Sequence, residues 1–321
     1  MSKKLQFVWI DDEGKRKRAS DNLEVQMSVK CEFINVSKEN NYLEDIDRVN
    51  PDLILMDHNL TYTLGEYKKG STISAIIREK HPTLPIACIS GQNKKDMDSQ
   101  QRMIYQTVFK ITDIKKHYSA MRSIATSYRK MKSSKPSSIE DVFSLMKVPK
   151  DDIEKLSIIM PAEIKENFKD LGLYGHITHW IIDVLFERPG FLYNKLWAAT
   201  FLGLSEKGFS KVEKLFESAK YKGIFSDESN ERWWKSKLLD ILNSKVHGYD
   251  LPWEKGRFLA EFQNSDFSKD FYTDYKEDYP ETVAYTDEST NEWQPMKLKY
   301  TISHPKFEKL LFFDEIRMMK P

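Results

Sequence analysis

The chain has 321 residues, 40% of them hydrophobic and 31% charged, with a formal net charge of +1. This composition fits an ordinary soluble protein of two or three domains and excludes a disordered or collagen-like chain. No run of about 18 apolar residues is present, so no transmembrane helix is expected. Met1-Ser-Lys-Lys leads straight into the first predicted strand and leaves no room for a signal peptide. The two cysteines, Cys31 and Cys88, both fall on predicted strands and read as reduced thiols of a cytoplasmic protein.

Strand and helix signals alternate over the first part of the chain. Leu5–Ile10 is a predicted strand, followed by a basic helix from about Lys15. The strand Glu32–Val36, a helix near Asn40–Arg48, and the apolar strand Leu53–Asp57 come next. A helix is expected over Gly70–Lys80, then a strand at Pro85–Ser90 and a helix over Lys94–Tyr105. The strand Thr107–Lys110 and a helix near Ile114–Lys132 complete the series. Such alternation predicts βαβ units, and hence a doubly wound parallel sheet in the flavodoxin-like order 2-1-3-4-5, with Asp57 on the central third strand.

Four of the strands deliver a polar residue at the C-terminal end. The first ends in Asp11-Asp12-Glu13, the third in Asp57, the fourth in Ser90 and the fifth in Lys110. In a doubly wound parallel sheet the strand C-termini are where a site is built. Crowded carboxylates raise one another's pKa unless a divalent cation neutralises them. Magnesium suits the set, because it takes one or two carboxylates, keeps several waters and completes its octahedron with phosphate oxygens. A carboxylate is also a nucleophile toward phosphorus, giving an aspartyl phosphate. Lys110 offers a charge to the phosphoryl group, and Ser90 a hydroxyl.

With these residues in this order, roughly residues 4–131 resemble the receiver domain of two-component response regulators. The resemblance implies that Asp57 is the phospho-acceptor and that Mg2+ is the cofactor. Asp12, Asp57 and the backbone carbonyl of Asn59 would then bind the ion, with Asp11 acting mostly through a coordinated water. Ser90 would be the hydroxyl that shifts on phosphorylation and Lys110 the ion-pairing lysine. Three departures from the family are visible. Ile111 follows Lys110 where the family usually has a proline after a cis peptide. A non-proline cis bond costs about 2.5–4 kcal/mol, so the turn there is expected to be rebuilt or trans. Thr107 stands where an aromatic coupled to the hydroxyl residue is usual, with Tyr105 two positions earlier. The segment His58–Gly70 is about five residues longer than is common, which places a long loop beside the site.

Ser133–Ser138 reads as a linker by composition, dividing the chain into a receiver domain at 1–132 and an α-rich domain at 139–321. Ser137-Ser-Ile-Glu140 has the pattern of a capping box opening a new helix. Expected helices follow at Ser138–Met146, Pro161–Leu171, Ile177–Glu187, Phe191–Phe201, Lys207–Tyr221 and Arg232–Leu242. Leu196–Val212 has the spacing of a helix-turn-helix within 196–214. Ala199 is placed between the helices, Gly203 at the turn, Phe209 and Val212 toward the core, and Lys207, Lys211 and Lys214 toward phosphates. His176, His179 and Asp183 recur on one helical face, a spacing that zinc can use with a further ligand, although a polar surface stripe is the simpler reading. The tail contains an acidic, aromatic stretch at 266–293, then an expected strand Met296–Ile302 and a helix from Pro305. It is a poor nucleic-acid surface and suits a partner-binding loop or plain surface.

Charge divides unevenly. Residues 1–137 carry +7 and residues 138–321 carry −6, so the halves can attract each other, and a phosphate at Asp57 would alter that attraction. The resulting expectation is a response regulator of a phosphorelay. It takes its phosphoryl group from a histidine kinase or phosphotransfer protein and switches contacts to a protein effector or in a homodimer. The rivals are a DNA-binding transcription regulator through the helix-turn-helix and a phosphate sink for a kinase. No membrane partner and no separate enzyme domain are expected.

Overall fold

The computed structural model describes residues 4–36, 41–60, 69–91, 104–168 and 172–263, with the backbone of two later strands, Thr282–Thr286 and Trp293–Lys297. By contacts the chain divides into two compact units. The first comprises Met1–Leu145 with Pro161–His179, the second Met146–Met160 with Trp180–Pro321.

The first unit is built on β1 (Gln6–Asp11), β2 (Lys30–Asn35), β3 (Leu53–Asp57), β4 (Ile86–Ser90) and β5 (Thr107–Lys110). All neighbouring strands pair in parallel, in the order β2-β1-β3-β4-β5. This is the flavodoxin-like order expected from the alternation. The helices are α1 (Lys17–Met27), α2 (Tyr42–Val49), α3 (Gly70–Lys80) and α4 (Tyr118–Ser134). A 3-10 turn at Gly14–Arg16 delays α1 by two residues relative to the expected start. Most of the helix expected over Lys94–Tyr105 lies outside the described residues, and Tyr105 itself sits in a bend ahead of β5.

The apolar runs are explained by burial on both faces, as a parallel sheet requires. Val8, Ile10, Ile54, Met56, Ile86 and Cys88 pack in one core with Ile46 of α2 and Ile73 and Ile77 of α3. The alternate residues Phe7, Trp9, Leu53, Leu55, Ala87 and Ile89 are equally buried, and the pleat turns them to the opposite face. There α4 packs against β3 and buries Met121, Ile124 and Ala125. Cys31 and Cys88 are both buried free thiols.

Two polar fastenings hold α4 in place. Arg129 forms a bidentate pair with Asp52, whose Oδ2 also accepts from the Gln6 amide at 2.8 Å, and Arg129 Nη2 donates to the Lys4 carbonyl at 2.9 Å. Further along, Tyr174 donates to the Met131 carbonyl at 3.1 Å, and the Tyr128 hydroxyl lies 2.9 Å from Thr178 Oγ1. These last contacts bind the helix Leu173–His179 to α4.

The capping box opens one residue later than the sequence pattern suggests. Ser138 Oγ accepts from the Asp141 amide, while the Asp141 carboxylate accepts from the amides of Ser137 and Ser138. Asp141 therefore replaces Glu140 as the reciprocal partner, its shorter side chain reaching both amides. The next helices are α5 (Ile139–Met146), α6 (Ile153–Ile159), α7 (Ala162–Lys165) and α8 (Leu173–His179). The helix expected over Pro161–Leu171 shrinks to the single turn of α7. The chain leaves the helix at Glu166, and residues 169–171 lie outside the described residues. The helix expected over Ile177–Glu187 is α8 followed by a π-helix, Trp180–Leu185, in which Phe186 N bonds to the Ile181 carbonyl five residues back.

In the second unit, α9 (Lys195–Phe201) and α10 (Glu206–Val212) form the expected helical hairpin. Asn194 and Ser205 cap them, accepting from the amides of Trp197 and Gly208. Gly203 makes the turn at φ 69°, where a Cβ would meet Trp253 and Arg257 at 2.9 Å. Ala199, Phe209 and Val212 join the core with Phe216, Trp233 and Leu238. Strand residues precede two of the expected helices, shortening the first at its start and shifting the second by three residues. β6 (Leu192–Tyr193) pairs antiparallel with β7 (Trp233–Trp234), and Trp233 also bridges to Lys220. After α10 the chain continues as a 3-10 helix, Glu213–Ala219, before α11 (Lys235–Lys245) and α12 (Pro252–Gln263). In the tail, β8 (Thr282–Thr286) pairs antiparallel with β9 (Trp293–Lys297), so the strand expected over Met296–Ile302 begins earlier. The acidic stretch 266–293 lies largely outside the described residues, and the helix expected from Pro305 wholly so. Among the described residues no helix is long and apolar enough to cross a membrane.

Arg129→Ala should lower stability by about 1–2 kcal/mol, as expected for a half-buried bidentate pair that also holds two backbone groups. Urea denaturation of the wild type and variant measures it. An unchanged midpoint would show that α4 is held by its apolar face alone.

Candidate phosphoryl-acceptor and metal site

Parallel pairing puts the C-terminal ends of β1, β3, β4 and β5 on one edge of the sheet. Asp57 is in register with Ile89, one residue before Ser90, and Ser90 is in register with Lys110. Asp11 ends β1 and Asp12 follows it. Both are nearly inaccessible, at 2% and 5% exposure. Ligand oxygens of Asp11, Asp12 and Asp57 lie within 4.8 Å of one another. Ser90 is buried and Lys110 partly exposed. Asn59 pairs antiparallel with Lys69, closing the base of the long segment between β3 and α3. Residues 61–68 of that segment lie outside the described residues.

Three carboxylates this close are strained while all are ionised. Burial, aided by the charges of Asp11 and Asp12, pushes the Asp57 carboxyl up to about 7. Asp11 is raised too, mainly by burial, against the opposing effect of hydrogen bonds from the Glu13 amide at 2.8 Å and Trp9 Nε1 at 3.3 Å. A divalent cation with oxygen preference relieves this repulsion, and Mg2+ fits a set of carboxylates that leaves room for water and phosphate oxygens.

Sequence reasoning missed two residues of the site. The positive charge of Arg16 acts on both Asp11 and Asp57, and Arg16 pairs with Glu13 at 3.4 Å. The signal available was the basic run after Glu13, read only as a helix start. In the turn after β5, Asp113 pairs with Lys116 at 2.8 Å, and the charge of Lys110 adds to that of Lys116 on the Asp113 carboxylate. That turn is a 3-10 helix, Ile111–His117, entered directly from β5.

The second missed residue is Gly70. A Cβ there would stand 1.9 Å from the Asp57 carbonyl oxygen and 2.9 Å from Met56 Cγ, and the Gly70 amide donates to the His58 carbonyl at 2.9 Å. Only glycine lets α3 start against the backbone that carries Asp57. Its place at the end of the long loop was the available signal.

Beneath the site, His58 is buried and meets Tyr105 edge to face at 6.2 Å. Burial holds the His58 imidazole below its usual pKa, as does the charge of Lys69. Tyr105 is fully buried in the core shared with α2 and α3. Thr107, at the position usual for the aromatic, is half-buried on β5. In α8 and the π-helix, His176, His179 and Asp183 form no ligand cluster. Among the described residues only Asp11, Asp12 and Asp57 gather as a possible metal-ligand group.

A carboxyl whose folded pKa is raised contributes stability that is complete below its ordinary value and lost as pH rises through the folded one. Without divalent ions, Asp57→Asn should therefore stabilise the protein at about pH 8 by roughly 1–2 kcal/mol and have little effect near pH 4. Adding Mg2+ should shrink the difference. Thermal melts across pH with and without Mg2+ measure this, and an Asn variant no more stable at the higher pH would contradict the repulsion.

No family model matches the chain, and none of the curated proteins does. It is similar to several solved structures. One is a CheY-like response regulator receiver domain protein from Methanospirillum hungatei JF-1, 10% identical, with 40% of this chain and 98% of that chain covered at a TM-score of 0.33. Another is a CheY-like receiver domain from Methylobacillus flagellatus, 16% identical, covering 38% and 99% at 0.32. NtrX from Brucella abortus is 16% identical, covering 49% of this chain and 34% of that chain at 0.35. At these identities and TM-scores the likenesses add nothing to what the geometry of the site carries.

Proposed function

We propose that this chain is a response regulator whose Asp57 accepts a phosphoryl group from a histidine kinase or a phosphotransfer protein. The observation that carries the reading is the convergence of Asp11, Asp12 and Asp57 at the C-terminal edge of the parallel sheet. A carboxylate oxygen of Asp57 attacks phosphorus as the bond from phosphorus to the donor's imidazole nitrogen breaks, leaving an aspartyl phosphate. Asp11, Asp12, Asp57 and the Asn59 carbonyl are the groups assigned to Mg2+, which when bound offsets the negative charge gathered there. Ser90 donates its hydroxyl to the phosphoryl group from the strand next to that of Asp57, and Lys110 pairs with it from the strand beyond. Residues 1–132 act as the receiver and 139–321 as the output. The output changes its contacts with a protein effector or a second copy when charge is added at Asp57.

A second reading, duplex DNA binding, draws on one specific arrangement. The helical hairpin α9–α10 is flanked by β6 and β7, with Lys220 bridged to β7, which is the layout of a winged helix-turn-helix. Lys207, Lys211 and Lys214 are exposed on and just beyond α10. The loop between Lys220 and β7 opposes it, since Asp227, Glu228 and Glu231 would face phosphates, and protein contacts remain the preferred output.

Incubation with Mg2+ and acetyl phosphate should add one hydroxylamine-labile phosphate. Asp57→Ala should abolish it, and Gly70→Ala should sharply reduce it by displacing the Asp57 backbone. Equal labelling of the Asp57→Ala protein, read by intact mass, would sink the receiver assignment.

DNA binding is separable. The preferred reading expects no sequence-specific duplex binding at physiological salt. Under the second reading, affinity falls with roughly the 0.9Z power of salt for Z neutralised phosphates, and changing Lys207, Lys211 and Lys214 together to Glu eliminates it. Fluorescence anisotropy with duplexes selected from random sequence decides between them.

A further inference from the structure

A cavity of about 290 Å³ lies in the second unit, between Phe186, the end of the 3-10 helix and the loop that leads to Arg232. That is near the lower end of the size range of small-molecule sites, roughly 300–1,000 Å³. Three buried rings, Phe186, Tyr221 and Phe225, give it an apolar wall, with Tyr221 edge-on to Phe186 at 5.6 Å. Phe225 has φ 63°. A bulky side chain rarely adopts that backbone conformation, and such strain gathers at binding sites.

The charged residues of the lining differ in how they are matched. Lys220 pairs with Glu213, Glu217 and Glu231, and Lys222 with Glu217. The Asp227 carboxylate accepts from the amide and hydroxyl of Ser229. Arg232 is the one buried charge of the lining. It is 7% exposed, its guanidinium lies 4.2 Å over the Phe186 ring, and it donates only to the carbonyls of Asn230 and Phe186. Its Nε is buried without a hydrogen-bond partner. Burial lowers its pKa to about 10, against the opposing charges of Glu187 and Asp227. A buried cation whose hydrogen bonds go to carbonyls and not to a carboxylate is costly, and a bound carboxylate would match it.

We propose that this cavity binds a small organic monocarboxylate, with the carboxylate at Arg232 and the apolar body against Phe186, Tyr221 and Phe225. The neighbouring acids Asp227, Glu228 and Glu231 disfavour a dianion such as phosphate, which narrows the class to singly charged ligands.

The test titrates the full chain with benzoate, and in parallel with benzyl alcohol and inorganic phosphate. Tryptophan fluorescence reports the site, because Trp234 lies 5.6 Å from Tyr221, and the Arg232 Nε–H nuclear magnetic resonance signal reports the guanidinium. Saturable benzoate binding that shifts this signal is expected, with neither control reproducing it. Arg232→Gln should weaken benzoate at least about tenfold. The proposal is overturned by failure of benzoate to saturate by about 10 mM. It is equally overturned by binding of the alcohol or phosphate as tight as benzoate, or by unchanged binding in a folded Arg232→Gln protein. Should that variant not fold, the wild-type Nε–H shift decides alone.

Discussion

Parallel pairing forces every strand of the first unit to end on the same edge, and the rest of the site follows from that constraint. Asp11, Asp57, Ser90 and Lys110 are 99 residues apart at their extremes in sequence, yet each terminates a strand of one sheet. Gathering the acids raises the energy of the ionised cluster. Asp57 is consequently poised near neutrality in the absence of a cation, while the apolar strand bodies and their helices hold the carboxylates together. Stability and chemistry are therefore in tension at this edge, as is common where like charges are confined.

The frame that bears this tension is fastened at the opposite end. Asp52 and Gln6 stand at the starts of β3 and β1, and Arg129 draws both toward α4. Lower on the same helix, Tyr128 and Met131 hold α8 through Tyr174 and Thr178. Because α4 runs back from the site, these fastenings lie away from the carboxylates.

The second unit works through different physics. Its core is aromatic, with Tyr193 against Phe201 and Phe209 between Phe216 and Trp233, and its short strands serve mainly to pin the helical hairpin. Lys195, Lys220 and Lys222 all pair with glutamates, while Lys207, Lys211 and Lys214 are exposed.

The sheet order, the strand ends and the acidic cluster were legible from sequence because period and polarity mark them. Apolar runs of five or six residues ending in a polar residue admit few other folds. The helical hairpin was legible for a similar reason, its small, turn and apolar residues falling at fixed offsets. What sequence could not decide were features set by close approach across the fold. Gly70 matters because its Cα abuts the Asp57 carbonyl, a contact between segments separated by the long loop. Arg16 matters through the direction of its charge, which local periodicity does not specify. The two-residue strands at Leu192–Tyr193 and Trp233–Trp234 looked helical locally and became strands only by pairing with each other. The π-turn Trp180–Leu185, which buries Trp180, Ile181 and Leu185, likewise left no mark in the local periodicity. Local pattern determined which elements exist; tertiary packing decided where backbones touch and which charges meet, since those depend on residues far apart in the chain.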